Sequence, residues 1–170
     1  EAMKVVRRDI PRAGLLLVGD GPTRSNLEIV ADGGVRFVGD VAPERVPAWL
    51  AATDVCVLLS TVPAGTSIKV FEYMAARRPI VSSEGGGVGR LIAETGAGIA
   101  VESLTPDSIA GAILSLLTDA GRAREMADRG HAAAHARFSW RRSAEALAAC
   151  LDRIAGGCRG ATGGERVRTV

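Results

Sequence analysis

Aromatic side chains are scarce, at 4% of 170 residues, and basic residues outnumber acidic ones by only two. Nucleic-acid binding calls for a basic stripe with interleaved aromatics, and no segment supplies one. The net charge of +2 is matched by the last sixteen residues alone, where Arg159, Arg166 and Arg168 outweigh Glu165. No run approaches the roughly 18 unbroken apolar residues of a membrane span, so the chain reads as a soluble one without a transmembrane segment. The three cysteines, Cys56, Cys150 and Cys158, form neither a metal spacing nor a disulfide framework. A reducing, cytoplasmic setting is the simpler expectation, with any membrane contact left to polypeptide outside this chain. Cys56 lies in an apolar run and reads as a core residue. The two histidines, His131 and His135, stand four apart on one helix face, as metal pairs can. Alanines surround them and no third ligand is near, so they read as surface residues. They are remote from every glycine-rich loop, which leaves a Ser-His-Asp or Cys-His arrangement without an anchor. Neither a secretory signal nor an initiator methionine opens the chain, and with Glu1 first it is expected to be a fragment.

What is present is enough for one globular domain, since a chain of this length can bury about 70% of its unfolded surface. After a short helical EAMKVVRRD, the pattern predicts strand 14–18, helix 24–30, strand 35–38 and a proline-opened helix 43–51. Strand 54–59, helix 67–76, strand 79–82, helix 88–94 and a short strand at 97–101 continue the alternation. Three helices follow, at 106–117, 122–137 and 139–154, each with apolar residues at three-to-four spacing. Such alternation predicts an α/β fold, a Rossmann-like parallel sheet flanked by helices, with the last helices wrapping one side. No internal repeat is present. Residues 1–154 would form this domain, and 155–170, rich in Gly and Arg, would be a disordered tail.

The stretch 63–76, PAGTSIKVFEYMAA, runs from small residues into a helix carrying a lysine and a carboxylate on one face. Ser67 is an N-cap candidate, and the uncapped amides of the following turn, at the positive end of the helix dipole, suit a diphosphate. Lys69 adds a point charge. Glu72, beside it at i, i+3, can accept two hydroxyl hydrogens as the acidic residue of dinucleotide folds does from a ribose. Val70, Phe71, Met74 and Ala75 would fix the helix on a core. By itself this is also the pattern of an ordinary amphipathic helix with a solvated Lys and Glu. Its place between two predicted strands makes it part of a parallel crossover, whose ligands bind at the carboxyl ends of the strands.

Two other glycine clusters fall short of known phosphate motifs. Gly19-Asp20-Gly21-Pro22 begins like a dinucleotide fingerprint, but Arg24 occupies the third glycine position, which leaves a tight turn. Gly85-Gly86-Gly87-Val88-Gly89-Arg90 fails at Arg90 and has no P-loop lysine. It reads as a flexible loop.

GLLLVGDGP, VRFVGDV, ATDVCVLLS, the SIKVFEYMAARRPIVSS run and the late FSW at Phe138 occur in an order and spacing that resemble the C-terminal domain of retaining GT-B glycosyltransferases, group 1 type, over Leu15 to Ile154. The resemblance implies one half of a GT-B fold that binds a nucleoside-diphosphate sugar as donor substrate. It implies that Ser67, the backbone of Ile68, and Lys69 contact the phosphates and that Glu72 holds the ribose. The same resemblance has Phe37 to Val41, with Gly39 and Val41, line the base pocket, and the turn of Gly19 and Gly21 line the nucleotide side. Gly65 and Thr66 would cradle the sugar through their amides, and the Gly85–Arg90 loop would face it. No metal or other cofactor is required, because positive groups and a helix dipole replace the cation.

The sequence departs from that family at three places. The glutamate expected eight positions before Glu72 is Ala64, and Arg90 stands where an acidic residue is common. The strand and loop expected ahead of Glu1, and the acceptor-binding N-terminal domain of the same protein, are not in the chain. The fragment alone is therefore expected to be inactive, and no catalytic residue is assigned. Alongside transfer with retention, two readings stay open: a non-catalytic sugar-nucleotide-binding or partner-binding module, and a sugar-nucleotide epimerase. The base, the sugar and the acceptor are not legible.

Overall fold

The computed structural model describes residues 1–61 and 66–160, the side chains of 156–160 excepted. The chain divides into two compact units, Glu1–Ala134 and the residues from His135 onward. Among the described residues the first unit holds five strands, and their ladders are parallel. Its elements run α1 (Ala2–Asp9), β1 (Leu15–Val18), α2 (Arg24–Val30), β2 (Val35–Gly39), a 3-10 turn (Pro43–Arg45), α3 (Val46–Ala51), β3 (Cys56–Leu58), α4 (Ile68–Ala75), β4 (Ile80–Ser83), α5 (Gly86–Thr95), β5 (Gly98–Val101), α6 (Pro106–Thr118) and α7 (Ala120–Arg137). The unit boundary falls inside α7, and the second unit contains the end of that helix and α8 (Trp140–Gly160).

The α/β class and the parallel pairing agree with the sequence. The single sheet does not appear: β1 pairs with β2, and β3, β4 and β5 form a separate ladder, with no hydrogen bonding between β1 and β3. The predicted helix at 43–51 is a 3-10 turn followed by a six-residue α-helix. Pro47 causes the break, since it has no N–H and its ring crowds the carbonyl four residues earlier. The last helix continues to Gly160, not Ile154, so 155–160 are helical and not part of a tail, while 161–170 lie outside the described residues.

Burial follows from strand alternation. Val81 and Val101 face one side, where they cluster with Val6 of α1 and with Ala110, Ile113 and Leu116 of α6. Among the side chains fully buried elsewhere are Val70 and Met74 of α4, Ile80 of β4 and Ile92 of α5. Each large apolar side chain buried in this way contributes about 1.5–3 kcal/mol. Cys56 is buried as expected, and burial pushes its thiol pKa up. β4, with a strand on each side, is buried at all four positions. The start of α6 is locally encoded: Thr105 accepts a hydrogen bond from the Ser108 amide at 3.3 Å, with Pro106 in the first turn.

Candidate functional site

α4 is the crossover helix between the parallel strands β3 and β4, and its N-terminus follows the carboxyl end of β3 after residues 59–67. Ser67 occupies the N-cap with extended backbone (ψ 135), and its carbonyl accepts from the Val70 amide at 3.1 Å. Its hydroxyl makes no capping hydrogen bond among the described residues, so Ser67 itself leaves the first-turn amides uncapped. Val70 and Met74, one turn apart, anchor the helix; Phe71 is half-buried and Ala75 is exposed, so the apolar stripe is narrower than predicted. Lys69 and Glu72 are both exposed, and neither enters an ion pair among the described residues. Thr66 and Ile68 are exposed beside them. Gly65 and Ala64 lie outside the described residues.

α5 starts in the same way at the end of the neighbouring strand β4. The glycine cluster is not a loop: Gly85 is the N-cap and the helix begins at Gly86. The chain turns tightly there, with Gly86 at φ +80 and Gly89 so close to the preceding segment that a Cβ would sit 1.8 Å from the Glu84 carbonyl oxygen. Arg90 is exposed on this helix. The Ser60 amide donates to Ser83 Oγ at 3.2 Å, tying the end of β3 to that of β4. Two helix N-termini therefore leave adjacent parallel strands, with exposed Lys69 and Arg90 on them. Apolar periodicity places this helix only from Val88, because the glycines before it hide the helical start, and nothing in the sequence singles out Ser60.

The remaining candidates gather in the other sheet. The Gly19 amide donates to the Gly39 carbonyl at 2.8 Å, joining the turn after β1 to the end of β2, and both glycines have positive φ, which favours glycine there. Gly39 is buried, Val41 half-buried and Gly21 exposed. Arg24, read in sequence only as the residue that spoils the fingerprint, organises this turn. It pairs with Asp20 at 3.0 Å and with Glu28 at 2.7 Å, and stands 5.9 Å from the centre of the Phe37 ring. The Gly21 amide, followed by Arg24, holds the Asp20 carboxyl below its ordinary range. Thus Gly19 meets Gly39 at the carboxyl end of one ladder, with Gly21 exposed in the turn beyond, while Ser67, Lys69 and Glu72 share the start of α4 after β3 in the other.

Two clefts lie away from these edges. One of about 150 Å³ is lined by Met3, Leu15, Leu17 and Phe37. The other, about 1020 Å³, lies at the amino ends of the strands, between Ala13, Asp54, Arg78 and Arg124. Neither is lined by Ser67, Lys69 or Glu72. Among the described residues no group of three His, Cys, Asp or Glu could hold a metal ion, and no helix is long and apolar enough to cross a membrane. His131 has a structural role: its Nδ1 lies 3.0 Å from the Ala75 carbonyl oxygen at the end of α4. Arg77, beside it at φ 57, pairs with Asp128 of α7.

Residues 1–119 match the family described as glycosyl transferases group 1. The chain belongs to this family. A GDP-mannose-dependent alpha-(1-6)-phosphatidylinositol monomannoside mannosyltransferase of Mycobacterium tuberculosis is 32% identical over 158 residues, which cover 86% of this chain and 41% of the relative. The group 1 chain described here thus spans about two fifths of the length of that relative. Among solved structures, Anabaena Alr3699/HepE in complex with UDP and glucose superposes with a TM-score of 0.78 at 21% identity, over 89% of this chain and 43% of that one. The C-terminal domain of a group 1 family protein (LpcC) from Francisella tularensis superposes with a TM-score of 0.53 at 14% identity, over 80% of this chain and 92% of that domain. The fold is that of the C-terminal half of a GT-B glycosyltransferase.

Proposed function

We propose that this chain is the donor-binding half of a glycosyltransferase that moves a sugar from a nucleoside diphosphate to an acceptor with retention. The observation that carries the reading is the pair of helix N-termini at the ends of β3 and β4, with Lys69 exposed in the first turn of α4 and Glu72 one turn on. Uncapped amides, a dipole and a lysine suit a diphosphate, while a carboxylate further along suits the ribose hydroxyls. The same groups stabilise the departing nucleoside diphosphate, which is where negative charge develops during transfer. Ser67 and Ile68 join through the first turn, and the Gly19–Gly39 turn, at the carboxyl ends of β1 and β2, would face the base. The UDP carried by the structurally similar Anabaena protein and the GDP-mannose dependence named for the mycobacterial relative support a nucleotide sugar without choosing the base. The acceptor would be held by the other half of the longer protein, and no metal or other cofactor is invoked.

The test is calorimetric titration of the full-length protein with UDP, GDP and their hexose conjugates, followed by NMR of the product's anomeric proton after incubation with acceptor. Micromolar binding of one diphosphate and an axial-to-axial outcome are expected. No binding of any of them would remove the donor role, and an inverted product would remove retention.

A further inference from the structure

We infer that Arg77 is a positioning residue for the donor site: its pairing with Asp128 clasps the carboxyl end of α4 to α7 and sets the pitch at which α4 presents Lys69 and Glu72. That role rests on α4 binding the donor as proposed. Arg77 is the one non-glycine residue with positive φ among the described residues, at φ 57. Glycine takes this conformation without strain, and arginine does not. An exposed ion pair by itself does little for stability, so stability alone gives no reason for a strained arginine at this place. What the turn achieves is direction. It ends α4, leads the chain into β4 and brings the guanidinium to Asp128 on α7.

α4 is tied down at its carboxyl end, whereas its functional groups stand at its amino end. The last carbonyls of a helix have no partner within it. Here the Ala75 carbonyl oxygen lies 3.0 Å from His131 Nδ1, and since a carbonyl only accepts, His131 carries its proton on that nitrogen. Two residues past the helix, Arg77 pairs with Asp128, which stands one turn of α7 before His131. Arg78 donates through Nη2 to the Ala51 carbonyl at 3.0 Å, fixing the same turn to the end of α3. At the amino end Ser67 gives no side-chain cap, and Thr66, Ile68 and Lys69 are exposed, which leaves Val70 as the nearest buried anchor.

α7 comes close enough to act as the clasp because Gly130 has no side chain. A Cβ there would stand 2.9 Å from the Ala97 Cβ and 3.4 Å from Cγ of Met74, the buried side chain of the last turn of α4. Ala127, Gly130 and Ala134 form the buried face of α7, and Asp128 and His131 lie beside it at i, i+3. Without the Arg77 pair, α4 can pivot about Met74. Lys69 is about 7.5 Å from that pivot along the helix axis, so a tilt of roughly 10° moves its backbone by about 1.3 Å, enough to stretch a hydrogen bond beyond its useful range.

The test uses the full-length protein and two variants, Arg77→Gly, which keeps the left-handed turn without the guanidinium, and Asp128→Ala. NMR residual dipolar couplings of the α4 and β4 amides report helix orientation without nucleotide, and calorimetry with UDP and GDP reports affinity. In both variants the α4 couplings should depart from those of the parent while the β4 couplings do not, and diphosphate affinity should fall about threefold to tenfold. The thermal midpoint of Arg77→Gly should stay nearly level, since relief of the strained φ offsets the lost pair. In a Lys69→Ala background Arg77→Gly should cost clearly less affinity than it does alone, because both act through one contact. Unchanged α4 couplings would overturn the clasp whatever the nucleotide does. Shifted couplings with unchanged affinity, or a fully additive loss in the Lys69→Ala background, would overturn the positioning role while leaving the donor reading intact. Unchanged affinity in Lys69→Ala and Glu72→Ala themselves marks the other case, in which the donor reading has failed and the positioning role falls with it.

Discussion

Gly89 lies directly beneath the carbonyl of Glu84, so close that a Cβ at 89 would stand 1.8 Å from that oxygen. Backbone cannot yield as the tip of a flexible side chain can, so the turn that delivers β4 into α5 admits only glycine there. Gly85, four residues earlier, has open space where its Cβ would go and an ordinary φ of −65. Gly89→Ala should therefore destabilise the protein by about 2 kcal/mol or more through overpacking, while Gly85→Ala at the N-cap should cost well under about 1 kcal/mol. Paired urea denaturation curves measure the difference; equal midpoints for the two variants would mean that the loop relaxes and the close approach is not obligatory.

Much of the fold was legible because its signals are local. The apolar runs at LLLV and VCVLL, and the small-residue stretch ahead of SIKVFEYMA, place β1, β3 and the start of α4 within a residue or two of the observed bounds. Ser67 and Lys69 could be placed at a helix start from their neighbours alone. What depends on distant partners was not legible. The glycines at 85–87 lower helix propensity, and only packing against Glu84 and β4 makes them the opening of α5. His131 carries no sign in the sequence that it will meet Ala75, 56 residues earlier. The separation of β1 from β3 is likewise a property of strand order, which periodicity does not encode.

Acid should loosen the first unit by a predictable route. Asp20 and Asp32 are held below the ordinary carboxyl range chiefly by the Gly21 and Gly34 amides, and Asp128 chiefly by its hydrogen bond with Arg77. Each folded-state pKa is lowered, so the stabilisation is complete above the unfolded aspartate value, near pH 4, and is lost as pH falls through the lower folded values. Stability measured from pH 6 down to pH 2 should fall below about pH 4, and Asp128→Asn should make the fall shallower. At 1 M salt, where the screening length is about 3 Å, the Asp128 contribution should shrink more than those of the two amide-bonded carboxylates. An acid profile unchanged in Asp128→Asn would show that the Arg77 pair does not persist in solution.

Thiol chemistry separates the two described cysteines. Cys56 is buried and its thiol pKa is pushed up by that burial, whereas Cys150 is exposed on α8. Only the thiolate reacts, so in a Cys158→Ser background iodoacetamide at pH 8 should label Cys150 promptly and Cys56 only at the rate of unfolding. Peptide mass mapping over time distinguishes the sites. Equal labelling rates under native conditions would place Cys56 outside the core.

Lys69 and Glu72 offer the sharpest separation of binding from folding. Both side chains are exposed, and neither joins an ion pair among the described residues, so nothing in the folded unit depends on them. Exposed substitutions of this kind change stability by about 0.5 kcal/mol or less. If Lys69 meets the diphosphate and Glu72 the ribose, each alanine variant removes a charge-assisted hydrogen bond contributing about 1.5–3 kcal/mol, a loss of roughly tenfold to a hundredfold in affinity. In the full-length protein Lys69→Ala and Glu72→Ala should therefore leave the thermal midpoint nearly unchanged while weakening nucleoside-diphosphate binding by that factor. The nucleoside monophosphate adds a second discrimination. It lacks the phosphate that Lys69 would hold but keeps the ribose, so Glu72→Ala should weaken it about as much as the diphosphate, and Lys69→Ala much less. Unchanged diphosphate affinity in both variants would return α4 to an ordinary amphipathic helix and move the donor site elsewhere.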